Sequence, residues 1–137
     1  MYRFRKNFKK YQPDPTNQVC PFCHLENREI TDTSEHAHVI RSDYPYDLWE
    51  FRKVTDHLLI IPQRHVASLS QLSVQERADI VEFMSKYEHL GYNVYGRSEK
   101  SVSKSVPDHQ HTHLISTINK KARLGIYIRK PYWLFGR

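Results

Sequence analysis

An α+β domain with a mostly antiparallel sheet of about five strands and one long helix is what this sequence predicts. Three observations carry the prediction. Short β-rich runs follow one another at 36–42, 48–53 and 57–61, a single capped helical stretch covers 73–90, and two more strand-like runs occupy 92–95 and 109–116. The resulting order, β-β-β-α-β-loop-β, lacks the regular strand–helix alternation of a parallel sheet.

The first run, 36–42, reaches a turn at Tyr44-Pro45-Tyr46-Asp47, and 48–53 reads as the returning strand with Trp49 and Phe51 on one face. Val54-Thr55-Asp56 is a short connection into His57-Leu58-Leu59-Ile60-Ile61, a nearly continuous apolar run suited to a central strand. Pro62, which has no N–H for a ladder, ends it. Ser73 followed by Glu76 is a capping box. Ile80, Met84 and Tyr87 then recur at helical spacing, flanked by Val81, Phe83 and Leu90, and Gly91 is a natural stop. Residues 96–107 form a loop rich in Ser and Lys, and 126–128 offers one more strand.

The length of 137 residues suits one domain, divided as a basic arm at 1–17 and a body at 18–137 that includes a basic tail at 118–137. The net charge of +6 is concentrated at the ends. Residues 1–11 carry five Lys/Arg and residues 120–137 six, with no acid in either, so the middle is net acidic. Such ends solubilise a chain or meet an anionic partner. Their Tyr2, Phe4, Phe8, Tyr11, Tyr132, Trp133 and Phe135 add the stacking surfaces that a nucleic-acid strand would use. No apolar run approaches a membrane span and no secretory pattern opens the chain, so a cytoplasmic location without membrane contact is expected.

Two motifs carry chemistry. Cys20-Pro21-Phe22-Cys23 has the spacing of a redox pair or of half a metal site, and nine histidines in so short a chain favour the metal reading. Asp108-His109-Gln110-His111-Thr112-His113-Leu114-Ile115 puts three imidazoles at alternate positions, hence on one face of a strand. A histidine row is a poor apolar surface, so it argues against core packing; from the residues alone a metal-binding row or a pH-sensitive surface stays open.

The row His109, His111, His113, followed by Leu114 and Ile115, resembles the signature of the histidine-triad (HIT) family. So does the stretch Asp56 to Val66, which is similar to the family's "GHLLVIPKRHV" strand and turn and leads through 68–73 into the helix. The two motifs stand in the family's order, and the likeness extends over roughly residues 18–116. It implies a nucleotide hydrolase or nucleotidyltransferase acting at an α-phosphate through a covalent nucleotidyl-histidine, on dinucleoside polyphosphates or nucleoside phosphoramidates. It further implies His111 as nucleophile, His113 near the leaving group, and His57 against the phosphate or leaving group. Carried over position by position, it gives Cys20, Cys23, His65 and His109 as ligands of a structural Zn2+, with His24 a poorer candidate because it adjoins Cys23.

A nucleotide pocket is read alongside the resemblance, in part from this chain's own loop. Ser103 and Ser105, backbone amides and Lys104 would face the phosphate, with Asn93 as an amide donor. Trp49 would stack on a base, unless it is an ordinary core aromatic, and Asp47 or Glu50 would accept ribose hydroxyls. Related proteins carry glycine in the phosphate loop, whereas 98–108 here has none and looks longer. A homodimer with a continuous sheet is the family's usual assembly. Two alternatives stay open: an enzyme acting on adenylylated or capped nucleic-acid ends, and a zinc-stabilised nucleotide-binding module with little turnover.

Overall fold

The computed structural model describes residues 20–102 and 104–121. The arm at 1–17, Ser103, the tail beyond 121 and the strand expected at 126–128 lie outside the described residues. Among the described residues, six strands and one α-helix follow one another as β1 (Ile30–Thr33), β2 (Ala37–Arg41), β3 (Leu48–Trp49), β4 (Arg52–Pro62), a 3₁₀ turn (Leu69–Gln71), α1 (Val74–His89), β5 (Asn93–Gly96) and β6 (Thr112–Lys121). All strand pairs are antiparallel. The order across the sheet is β1-β2-β4-β6-β5, with β3 paired to β4. The α+β class and the antiparallel sheet with one long helix are therefore as expected, with six strands rather than five.

Strand periodicity divides the sheet into two unlike faces. Leu58 and Ile60 of β4, Leu114 of β6 and Ala37 and Val39 of β2 point to α1, where Ile80, Phe83 and Tyr87 meet them and Met84 packs alongside. Fully burying each large aliphatic side chain stabilises the fold by roughly 1.5–3 kcal/mol. Val81 and Leu90, which flank the stripe, are exposed. On the opposite face Leu59, Ile61, Ile40 and Phe22 form a smaller cluster. No helix among the described residues is long and apolar enough to cross a membrane.

The helix begins as its capping box dictates. Glu76 N donates to Ser73 Oγ at 3.1 Å, and Ser73 N donates to Glu76 Oε2 at 2.6 Å. Arg64 completes the corner with Nε and Nη2 on the two Glu76 oxygens, at 2.8 and 2.7 Å. That bidentate pair fixes the turn after β4 to the start of α1. After the helix, Gly91 takes φ +89°, a conformation that favours glycine.

Four local expectations need correction. β1 replaces an unassigned stretch: Ile30 is half exposed, so the strand has no buried alternation to announce it. The run 48–53 is two strands with a turn between, because Glu50 and Phe51 take φ +48° and +61°. Trp49 and Phe51 therefore do not share a strand face. Val54-Thr55-Asp56 belongs to β4, where register shifts between Arg52 and Asp56 interrupt the ladder without ending it. Finally, β6 starts at Thr112 rather than His109, because Gln110 N donates to Val66 O at 2.6 Å instead of joining the β4 ladder. The same strand runs on to Lys121, so 118–121 is sheet rather than tail.

Candidate functional site

Two segments meet at one corner of the sheet. The Cys20–Cys23 turn, closed by Cys23 N donating to Cys20 O at 3.1 Å, brings both thiols to the turn after β4. Cys20 Sγ lies 3.3 Å from His109 Nδ1, and Cys23 Sγ lies 3.2 Å from His65 Nδ1 and 3.6 Å from His109 Nδ1. One atom from each of Cys20, Cys23, His65 and His109 falls within 4.8 Å of all the others. Tetrahedral zinc with its usual bond lengths needs ligand–ligand separations of roughly 3.3–3.8 Å. The four residues are thus arranged to hold a metal ion. His24 is instead exposed and 3.8 Å from Glu26.

The tautomer of His109 fits that role. Its Nε2–H donates to the Pro62 carbonyl at 2.9 Å, which leaves the Nδ1 lone pair toward the thiols. Burial pushes its pKa below the ordinary histidine value, which favours the neutral ring that a ligand needs. Burial also pushes the Cys23 thiol up, with Cys20 adding to the rise. A thiol binds metal only after losing its proton, so metal uptake here releases protons.

His111 and His113 lie farther along the chain. Nδ1–H of His111 donates to the carbonyl of His109 at 3.0 Å, so Nε2 carries the lone pair. Burial lowers the His111 pKa; the His109 carbonyl opposes this, and Lys104, His109 and Arg97 reinforce it. Phe22 stands edge-on at 5.2 Å from the His111 ring and 5.6 Å from the His109 ring. The third ring, His113, is 5.2 Å from His111.

A fixed proton order runs through the neighbouring strand. Tyr46 N–H donates to His57 Nδ1 at 3.1 Å, so neutral His57 carries its proton on Nε2. That proton is donated to His113 Nδ1 at 2.9 Å, which places the His113 proton on Nε2. Both His57 nitrogens are therefore engaged within the protein. The sequence expectation put His57 against the phosphate or leaving group; the structure puts it behind His113.

Aromatic rings surround His113. Tyr46 stacks on His57 with centroids 4.6 Å apart and lies 5.5 Å from His113, while Tyr95 lies 5.7 Å from His113 on the other side. Trp49 meets Tyr95 at 5.0 Å and Tyr46 at 6.4 Å. It is half-buried in this cluster, which is neither a sealed core nor an open surface. A cleft of about 410 Å³ opens beside His57, lined among others by Arg41, Tyr46, Asp47, Lys53 and Thr55.

The other expected pocket residues divide. Glu50, expected to accept ribose hydroxyls, occupies the exposed tip of the β3–β4 turn rather than a strand. Asn93 was expected to offer its amide to phosphate; instead Nδ2 donates to the Ile115 carbonyl at 3.0 Å, because Asn93 pairs with Ile115 across the ladder. Ser105 is half-buried in the loop before the triad, and Ser103 lies outside the described residues. Sequence reasoning did not single out Tyr46, Tyr95 or Arg97. Tyr46 sits in a turn whose direction only the β2–β4 pairing fixes. Strand parity did carry a signal for Tyr95, which lies opposite His113 in the ladder.

No family model matches this sequence. No curated protein matches it either. Solved structures do. A HIT family hydrolase from Clostridium thermocellum superposes with a TM-score of 0.56 at 20% identity, over 83% of this chain and 100% of that one. A histidine triad nucleotide-binding protein from Candida albicans gives 0.56 at 22%, over 83% and 85%. A histidine triad protein from Clostridium difficile gives 0.52 at 18%, over 77% and 96%. At these identities the likeness establishes a shared fold.

Proposed function

We propose that this protein is a HIT-type nucleotide hydrolase or nucleotidyltransferase in which His111 forms a covalent nucleotidyl intermediate. The observation that carries this reading is the 3.0 Å bond from His111 Nδ1–H to the His109 carbonyl, which commits Nε2 as the nucleophilic nitrogen. Attack by Nε2 forms an N–P bond at the α-phosphorus and breaks the bond from phosphorus to the leaving group. His113, protonated on Nε2, supplies a proton or hydrogen bond to that group as it departs. Water or an acceptor then attacks the same phosphorus, and the bonding pair returns to His111. His57 holds His113 in the required tautomer, and Tyr46 holds His57.

Cys20, Cys23, His65 and His109 suit zinc: two thiols and two imidazoles make a closed tetrahedral set, the arrangement of structural sites. The ion would fasten the 20–25 segment to the sheet and hold the backbone at His109, whose carbonyl positions His111. A homodimer with a nucleotide substrate is part of the proposal.

Replacing His111 with alanine tests the reading. Turnover of diadenosine polyphosphates or adenosine phosphoramidates should fall by roughly 10⁴-fold or more, with metal content and thermal unfolding unchanged. Equal turnover in the variant overturns the His111 reading, and no turnover in either protein beside nucleotide binding in both favours a binding module instead.

A further inference from the structure

The loop leading to the triad offers charge where close backbone approach would need glycine. Lys104 is only 7% exposed, and its Nζ donates to the Ala67 carbonyl at 2.7 Å. The adjoining carbonyl, that of Val66, accepts Gln110 N–H, so the ammonium is held beside the 109–111 segment. Burying an ammonium is costly unless an anion compensates it. Burial lowers the Lys104 pKa, and Glu99 and Asp108 only partly oppose this, so an incoming anion is what the site lacks. The second cation, Arg97, follows the end of β5 where Gly96 pairs with Thr112. Its guanidinium lies 5.6 Å from the centre of the Tyr95 ring, and that ring is in contact with His113.

We infer that Lys104 and Arg97 form a two-cation clamp for a polyphosphate chain, which selects substrates whose leaving group is itself a phosphate. The inference rests on the His111 reading above and goes further by choosing between its two substrate classes. In an anhydride, the bond from α-phosphorus to bridging oxygen breaks and its electron pair leaves on that oxygen. The leaving phosphate then carries negative charge that fixed cations stabilise, and it departs without needing a proton. In a phosphoramidate the P–N bond breaks instead, and its nitrogen leaves as an amine only by taking the His113 proton. Lys supplies a point charge and Arg a planar pair of donors, a combination suited to successive phosphates.

Calorimetry on the His111→Ala protein, using ATP and AMP as probes, tests the clamp without turnover. ATP should bind at least about tenfold more tightly than AMP, and Lys104→Met or Arg97→Gln should each remove about tenfold of that preference. Because Arg97 is half-buried at a strand end, Arg97→Gln serves if Lys104→Met does not fold. On the otherwise wild-type background, the same substitutions should lower kcat/KM for diadenosine tetraphosphate about tenfold more than for adenosine phosphoramidate. Equal binding of ATP and AMP, or a preference untouched by either substitution, overturns the clamp. An ATP preference that is lost in both variants supports the clamp even if neither substrate is turned over, an outcome that instead counts against the catalytic reading.

Discussion

On the helix side of β4, Leu58 and Ile60 meet Ile80, Phe83 and Tyr87; one position along, His57 and Leu59 look the other way, toward Tyr46, Phe22 and the triad rings. The first face is apolar and closed by a single amphipathic helix. The second is covered by short segments from distant parts of the chain: the Cys20–Cys23 turn, the stretch around Tyr46 and the loop containing Lys104. Adjacent residues of one strand thus serve different ends. The helix face supplies cohesion, and the other face holds polar groups in fixed tautomers. Stability and chemistry should therefore be separable by substitutions only one residue apart.

The largest stability effect is expected on the helix face. Leu58 is 1% exposed, so Leu58→Ala should cost about 2–5 kcal/mol, read as a lower urea midpoint at unchanged slope. Metal content of the folded fraction should not change. A loss below 1 kcal/mol would mean that the helix face is not the main source of cohesion.

The metal corner comes next. With zinc at about 100 times its dissociation constant, the bound ion should add roughly 3 kcal/mol, and a chelator should remove it as a drop in Tm. Cys23→Ser should abolish stoichiometric binding and the response to chelator together. Its unfolding transition in chelator should stay close to that of chelated wild type. A chelator effect that persists in the variant would place the ion elsewhere.

The smallest effect concerns the corner where the helix starts. Arg64, together with the Ser73 amide and hydroxyl, holds the Glu76 carboxyl at a pKa of about 2 against burial, below its ordinary 4.5. A carboxylate depressed in the fold contributes stability above the unfolded value, and that contribution is lost as pH falls through the folded one. Glu76→Gln should therefore cost about 1 kcal/mol at neutral pH. The gap between wild type and variant should close as pH falls from 4.5 toward 2. A gap that is constant with pH would show that hydrogen bonding at the helix start, rather than charge, is what matters there.

The helix face was the more legible in the sequence. Ser73, Glu76 and Gly91 mark both helix ends through local chemistry, and the apolar spacing between them needs no knowledge of distant partners. At the metal corner the Cys20–Cys23 spacing was legible by itself, whereas His65 and His109 came as ligands only through the family resemblance; the fold brings all four together. The surroundings of His113 were not. Glu50 and Phe51 adopt left-handed φ without glycine, so no turn signature separated β3 from β4. Asn93 was assigned by family position, yet its amide donates to the partner strand, which only the register reveals. His57 carried the right residue type, but its place behind His113 depends on Tyr46 stacking over it from a turn.

The central claim is that Nε2 of His111 is the atom that bonds to phosphorus. Brief mixing with diadenosine tetraphosphate, quenching at alkaline pH to preserve an acid-labile N–P bond, and peptide mass mapping would test it most directly. The account predicts an adenylyl group on His111 that is absent from the His111→Ala protein. An adenylyl group on His113, on His57 or on a lysine, or substrate consumption with His111 unmodified at every quench time, would contradict it.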